Sequence, residues 1–241
     1  MYRLDDLLSR NLGVSKGTIG KMVEEERVST VDGVLFTERK APLAPSDGLP
    51  VVLVDGQPVT LHDSALVLLH KPVGVVTALR DSRHPTAYSL LDAAPLSAEL
   101  RPAGRLDLDS TGLLLWTTDG MLIQRLTHPK RRVPRTYQAA LAGPFGALPP
   151  DFTLEDGHRP EITDLRVLPR ADAHPGLVLP QGDFTLATIT IIGGAYHEVR
   201  RIFVALGSHV LALCRVRFGT FELPADLPAG QWRAIPFPTG A

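Results

Sequence analysis

Apolar positions recur at helical spacing twice near the start of the chain. Leu4, Leu7 and Leu8 fall at i, i+3, i+4, as do Ile19, Met22 and Val23, so each trio lies along one helix face. Ser15 stands where an N-cap belongs, just before the second helix. The short segment Val28 to Val31, the Asp32-Gly33 pair and a second apolar segment then predict a small hairpin. Two helices and a hairpin describe a miniature domain. Residues 41–63, rich in Pro, Gly and Asp, read as its last strand and a linker, which sets expected domains of 1–60 and 61–241.

The pattern then changes. Ala65-Leu66-Val67-Leu68-Leu69 is a buried-strand run that leads into His70-Lys71-Pro72-Val73-Gly74. Further strand-like pieces fall at 112–118, 136–142, 184–192 and 210–217. Helical pieces run from Met121 to Thr127, stopped by Pro129, and from Glu198 to Leu206, stopped by Gly207. Strands outnumber helices and do not alternate with them, which argues against a doubly wound parallel sheet. The prediction is a mixed, mainly antiparallel α+β domain preceded by a small α/β module.

Composition narrows the class. Of 241 residues, 44% are apolar and 21% charged, the balance of a chain that can bury a core. The apolar stretch from Phe184 to Tyr196 is too short, and too broken by threonine and glycine, to span a bilayer. Acids at Asp5 and Asp6 replace the basic end of a signal peptide, so the expectation is a soluble, cytoplasmic protein without a membrane partner. A single cysteine, Cys214, excludes an internal disulfide and a cysteine-rich zinc site. The net charge of −1 excludes non-specific coating of nucleic acid but not a local patch. Such a patch is present: residues 120–150 carry Arg125, Lys130, Arg131, Arg132 and Arg135 and no acid, whereas residues 1–60 carry 7 basic and 9 acidic side chains. If a polyanion is bound, the second domain holds the stronger electrostatic handle.

Three clusters have chemical potential. In Gly104-Arg105-Leu106-Asp107-Leu108-Asp109-Ser110-Thr111-Gly112, two carboxylates and an arginine sit where a loop enters the apolar Leu113-Leu114-Leu115-Trp116 strand. Read blandly, Asp109 or Ser110 caps a turn and Arg105 pairs with an acid. Read as Asp-x-Asp-x-Thr, the segment matches a magnesium phosphotransferase motif, but that motif needs a buried strand before its first Asp, and Arg101-Pro102-Ala103-Gly104-Arg105 cannot be one. Tyr137, in Arg135-Thr136-Tyr137 at a strand start, is either core or a platform for a nucleobase. His197-Glu198-Val199-Arg200-Arg201 opens a helix; arginine at 201 breaks the two-histidine zinc spacing, and the helix N-terminus after Gly193-Gly194 suits a phosphate. Lys71-Pro72-Val73-Gly74, a turn after a strand, says nothing alone.

Together these segments resemble the pseudouridine synthases of the small-ribosomal-subunit (RsuA-type) family. The likeness is carried in order by His70-Lys71-Pro72-Val73-Gly74-Val75-Val76, by His84-Pro85-Thr86 with Leu90-Leu91-Asp92, and by Gly104-Arg105-Leu106-Asp107 with Ser110-Thr111-Gly112-Leu113. It continues through Arg135-Thr136-Tyr137, Gly194-Ala195-Tyr196-His197-Glu198-Val199-Arg200-Arg201 and Gly230-Gln231-Trp232-Arg233. The first domain resembles an S4 RNA-binding module, through Arg3-Leu4-Asp5, Gly13-Val14-Ser15-Lys16 and Arg27-Val28.

The resemblance implies site-specific isomerisation of a uridine in ribosomal RNA, 16S rRNA or a small-subunit assembly intermediate; a monomer is the default expectation. The uridine leaves the stack, its N1–C1′ bond breaks, and C5 joins C1′. Asp107 is implied as the catalytic carboxylate, Tyr137 as the ring that packs on the base, and Arg200 as the partner that keeps Asp107 ionised and oriented. Arg105, Lys71, Arg131, Arg132, Arg135, Arg201 and Lys16 are the expected RNA contacts, with Asp109 structural. An isomerisation without redox change or net hydrolysis implies no cofactor and no metal. Glu198 stands where the family often has glutamine, and Glu24-Glu25-Glu26 makes the S4-like module unusually acidic. The competing expectations are a non-catalytic rRNA-binding or ribosome-assembly protein and a synthase acting on 23S rRNA.

Overall fold

A computed structural model describes residues 2–43 and 50–238. The chain divides into two compact units: Met1–Ala65 with Ala93–Leu100, and Leu66–Asp92 with Arg101–Ala241. The division falls after residue 65 rather than 60, and the short segment 93–100 belongs with the first unit.

In the first unit, β1 (Tyr2–Arg3) runs into α1 (Leu4–Leu12) and α2 (Lys16–Glu24). The two apolar trios are buried on the faces their spacing predicts. Gly13, in the left-handed region at φ 66°, ends α1, and the Ser15 hydroxyl caps α2 by accepting from the Thr18 N–H at 3.1 Å. β2 (Val28–Thr30) turns back through Asp32-Gly33, so that Ser29 bridges Leu35, but its ladder is formed with β4 (Val51–Val54). β3 (Pro42–Leu43) pairs with β1, and β5 (Gln57–Thr60) completes the sheet beside β4. The stretch read as a last strand and linker therefore contains three short strands; its residues 44–49 lie outside those described. The unit's apolar core joins Leu4, Leu7 and Leu8 to Ile19, Val28 and Val52.

The second unit is built on one nine-stranded sheet, antiparallel except where β12 runs parallel to β8. Its strands are β6 (Leu66–Lys71), β7 (Arg101–Ala103), β8 (Ser110–Thr117), β9 (Pro134–Leu141), β10 (Glu161–Leu168), β11 (Thr185–Ile192), β12 (Val210–Phe218), β13 (Phe221–Glu222) and β14 (Trp232–Ala234). The main path is β10-β11-β9-β12-β8-β6-β14, with β7 on β8 and β13 on β12. This is the mixed, mainly antiparallel α+β architecture that the pattern predicts. All of β6 and β8 is buried, which explains their uninterrupted apolar runs. α3 (Gly120–Thr127) is capped by Asp119, whose carboxylate accepts from the Met121 and Leu122 N–H groups. α4 (Glu198–Ala205) buries Val199, Ile202 and Phe203. At Gly112 the parallel pair closes very tightly: φ is +114°, and a Cβ would lie 2.4 Å from the Arg215 carbonyl oxygen. Only glycine fits there.

Candidate active site

The Gly104–Asp109 loop joins β7 to β8, and its backbone is pinned at successive residues. The Thr77 hydroxyl donates to the Leu106 carbonyl at 2.9 Å and accepts from the Leu106 N–H at 3.1 Å. Gly74 N–H reaches the Leu108 carbonyl at 2.8 Å, and Ser110 N–H the Asp107 carbonyl at 3.1 Å. Leu106 is buried as an apolar anchor between two polar neighbours. The carboxylate of Asp107 is thereby held over a cleft of about 450 Å³, half-exposed at its rim.

Tyr137 and Arg200 line the same cleft. Tyr137 is 7% exposed on β9, where it sits opposite Ile189 of β11 and Arg215 of β12. Arg200 comes from the first turn of α4. Its expected pairing with Asp107 does not occur: the guanidinium Nη2 lies 2.9 Å from Asp109 Oδ2 and also donates to the Asp109 carbonyl at 3.3 Å. An imidazole stands beside Asp107 instead: His197 Nε2 is 3.7 Å from Asp107 Oδ2. The helix begins at Glu198, so the imidazole one residue earlier occupies the space beside Asp107, and Arg200 falls opposite the far end of the loop.

The magnesium reading of Asp107, Asp109 and Thr111 loses its geometry. Asp109 is engaged by Arg200, and the buried Thr111 hydroxyl donates to the Lys71 carbonyl at 2.8 Å and faces the His70 ring. Among the described residues, no group of three His, Cys, Asp or Glu side chains is placed to hold a metal ion.

The expected RNA contacts divide into several cases. Lys71 is not available to a phosphate: it is fully buried, with its ammonium on the Ser110 carbonyl at 2.7 Å and the Pro72 carbonyl at 2.8 Å. Burial pulls its pKa down to about 8, against the opposing pull of the Asp107 and Asp109 charges. The lysine thus braces the end of the Gly104–Asp109 loop. Arg135 is half-buried in the cleft wall, bonded to the Gly193 carbonyl and laid 4.8 Å over the Phe218 ring. Arg105 is exposed at the cleft. Arg131 and Arg132 are exposed on the turn after α3, Arg132 pairing with Glu161. Arg201 pairs with Asp156 at 2.6 Å, and Lys16, in the first unit, with Asp6 at 2.5 Å. Such exposed pairs are weak and exchange readily for a phosphate.

Two features escape sequence reasoning. Arg215, 2% exposed, donates from Nε to the Leu113 carbonyl at 2.9 Å and from Nη1 to the Arg105 carbonyl at 3.3 Å, so it ties β12 to the strand and loop that carry Asp107. The available signal was a lone arginine within the apolar Leu213-Cys214-Arg215-Val216 run. Glu198 is also structural in a definite way. Its buried carboxylate accepts from the Ala195 N–H at 2.9 Å and meets His158 Nε2 at 2.7 Å, which fixes the chain entering α4.

A loop aspartate, a buried tyrosine and a helix arginine line one cleft on a mixed sheet, and comparison with known proteins gives the family to which this arrangement belongs. Residues 65–205 match the RNA pseudouridylate synthase family, and the chain belongs to that family. It is 36% identical to the ribosomal small subunit pseudouridine synthase A of Escherichia coli (strain K12) over 238 residues, 97% of this chain and 96% of the relative. The protein of the same name from Yersinia pestis is 34% identical over 97% of this chain and 94% of its own. A solved pseudouridylate synthase shares the fold with a TM-score of 0.60 at 28% identity, covering 98% of this chain and 96% of that one.

Proposed function

We propose that this protein isomerises one uridine of the small-subunit, 16S ribosomal RNA to pseudouridine, with Asp107 as the catalytic carboxylate. The observation that carries the reading is the single cleft lined by Asp107, Tyr137 and Arg200; likeness to small-subunit synthases along nearly the whole chain supports the substrate. The reaction breaks N1–C1′ and forms C5–C1′; a proton leaves C5 and one is gained at N1, with no change of redox state. The target base leaves the RNA stack, at a cost of a few kcal/mol, and packs in the cleft against the Tyr137 ring. Asp107 assists departure of the base from C1′, while Arg200 holds Asp109 and keeps the loop's far end closed. Arg105 and Arg135 face the nucleotide's backbone.

The first unit serves as an S4-like module that orients the RNA, and the exposed Arg131 and Arg132 supply part of the salt-sensitive affinity. The protein works as a monomer in the cytoplasm. Among the described residues, no helix is long and apolar enough to cross a membrane.

The test is to map pseudouridines in ribosomal RNA from cells lacking this protein. One missing position in 16S rRNA is expected. A missing position in 23S rRNA would overturn the substrate, and an unchanged map would favour the non-catalytic assembly role.

A further inference from the structure

We infer that His197 is the positioning residue for the Asp107 carboxylate, a role that rests on the reading of Asp107 given above. Three observations converge on it. First, His197 Nε2 lies 3.7 Å from Asp107 Oδ2, while Arg200, the expected partner, is held by Asp109. Second, a face of the ring is covered: it stacks on the neighbouring Tyr196 with centroids 3.9 Å apart and planes 15° from parallel. Third, His197 has φ 50° and ψ 31°, a left-handed conformation that a non-glycine residue adopts at a cost. Strain of this kind persists only where the surroundings enforce it, and it gathers at functional sites.

The neighbouring contacts supply that enforcement. One residue on, Glu198 is clamped to the Ala195 N–H and to His158, so the chain on either side of His197 is anchored. One face of the imidazole is covered by Tyr196, and its Nε2 is the atom nearest Asp107 Oδ2 in their contact. Asp107 Oδ2 faces it from the β7–β8 loop. Lys71 interacts with Asp107 by charge alone, its ammonium being committed to two carbonyls. Arg200 and Asp109 satisfy one another nearby, and Glu198 satisfies His158. His197 is accordingly the side chain placed to orient the Asp107 carboxylate.

The experiment compares His197→Leu, His197→Gln and Asp107→Asn in the full-length enzyme, by release of tritium from 5-tritiated uridine in 16S RNA. His197→Leu should lower kcat about tenfold, as loss of one contact to a charged group does, with KM within about twofold. His197→Gln, which keeps an N–H donor, should recover most of the rate. Wild-type kcat in His197→Leu would overturn the inference. So would equal losses in the Leu and Gln variants, the mark of a packing role. Turnover by Asp107→Asn would refute the carboxylate reading itself and the inference with it; an inactive Asp107→Asn beside an unaffected His197→Leu would sink the inference alone.

Discussion

Lys71 lies wholly inside the protein beneath the loop that carries Asp107, and its burial should be visible as a pH dependence of stability. Its pKa in the folded chain is about 8, lowered chiefly by desolvation, whereas an unfolded lysine titrates near ~10.4. Between those values the unfolded chain binds the proton and the folded chain does not, so stability rises with pH across that window. At about 1.4 kcal/mol per pH unit, the gain from pH 7 to pH 10 attributable to this one group is about 2 to 3 kcal/mol. Lys71→Met removes the titrating group while keeping most of the volume. Urea denaturation of both proteins at pH 7, 8.5 and 10 isolates the term, because contributions from other lysines and tyrosines cancel in the difference. The wild-type curve should rise relative to that of Lys71→Met by this amount. Parallel curves would show that Lys71 titrates normally and would refute its placement against the Ser110 and Pro72 carbonyls. The pull of Asp107 and Asp109 on the Lys71 proton adds a second check: Asp107→Asn should steepen the rise by lowering the lysine's pKa further.

Gly112→Ala should destabilise the second unit by about 2–5 kcal/mol, the sum of a strained φ and a steric overlap with the Arg215 backbone; a melting temperature within about 2 °C of wild type would contradict the close approach of β8 and β12. Arg131→Ala combined with Arg132→Ala should weaken RNA binding and reduce the slope of log affinity against log salt by about 1 to 2. An unchanged slope would move the RNA path away from the turn after α3.

How far the sequence disclosed this arrangement depended on whether a side chain's neighbours were local. The amphipathic trios of α1 and α2, the Ser15 cap and the continuous apolar runs of β6 and β8 are short-range features, and they fold as their spacing predicts. β10 escaped notice because it is an edge strand of mixed exposure, with Val167 left 61% exposed, so its hydrophobic signal is diluted. The candidate site was legible as a set of residues but not as a set of pairings. Asp107, Tyr137 and Arg200 do share a cleft. That Arg200 takes Asp109 and leaves His197 to Asp107 follows from where α4 begins relative to the loop, which is fixed by sheet packing across distant segments. Lys71 shows the same limit from the other side: a basic residue in a Lys-Pro turn reads as a surface contact until the burial of β6 is known. Arg215 was hidden because a buried arginine in a strand is recognisable only through the carbonyls it serves, those of Leu113 and Arg105.

The most direct test of the account is the Asp107→Asn enzyme, assayed for pseudouridine formation and for binding on the same 16S RNA. Asparagine preserves shape but cannot carry the charge, and a half-exposed carboxylate contributes little to phosphate binding. The account predicts no detectable pseudouridine with RNA affinity within a few-fold of wild type. Pseudouridine formed at an appreciable rate by that variant would contradict it.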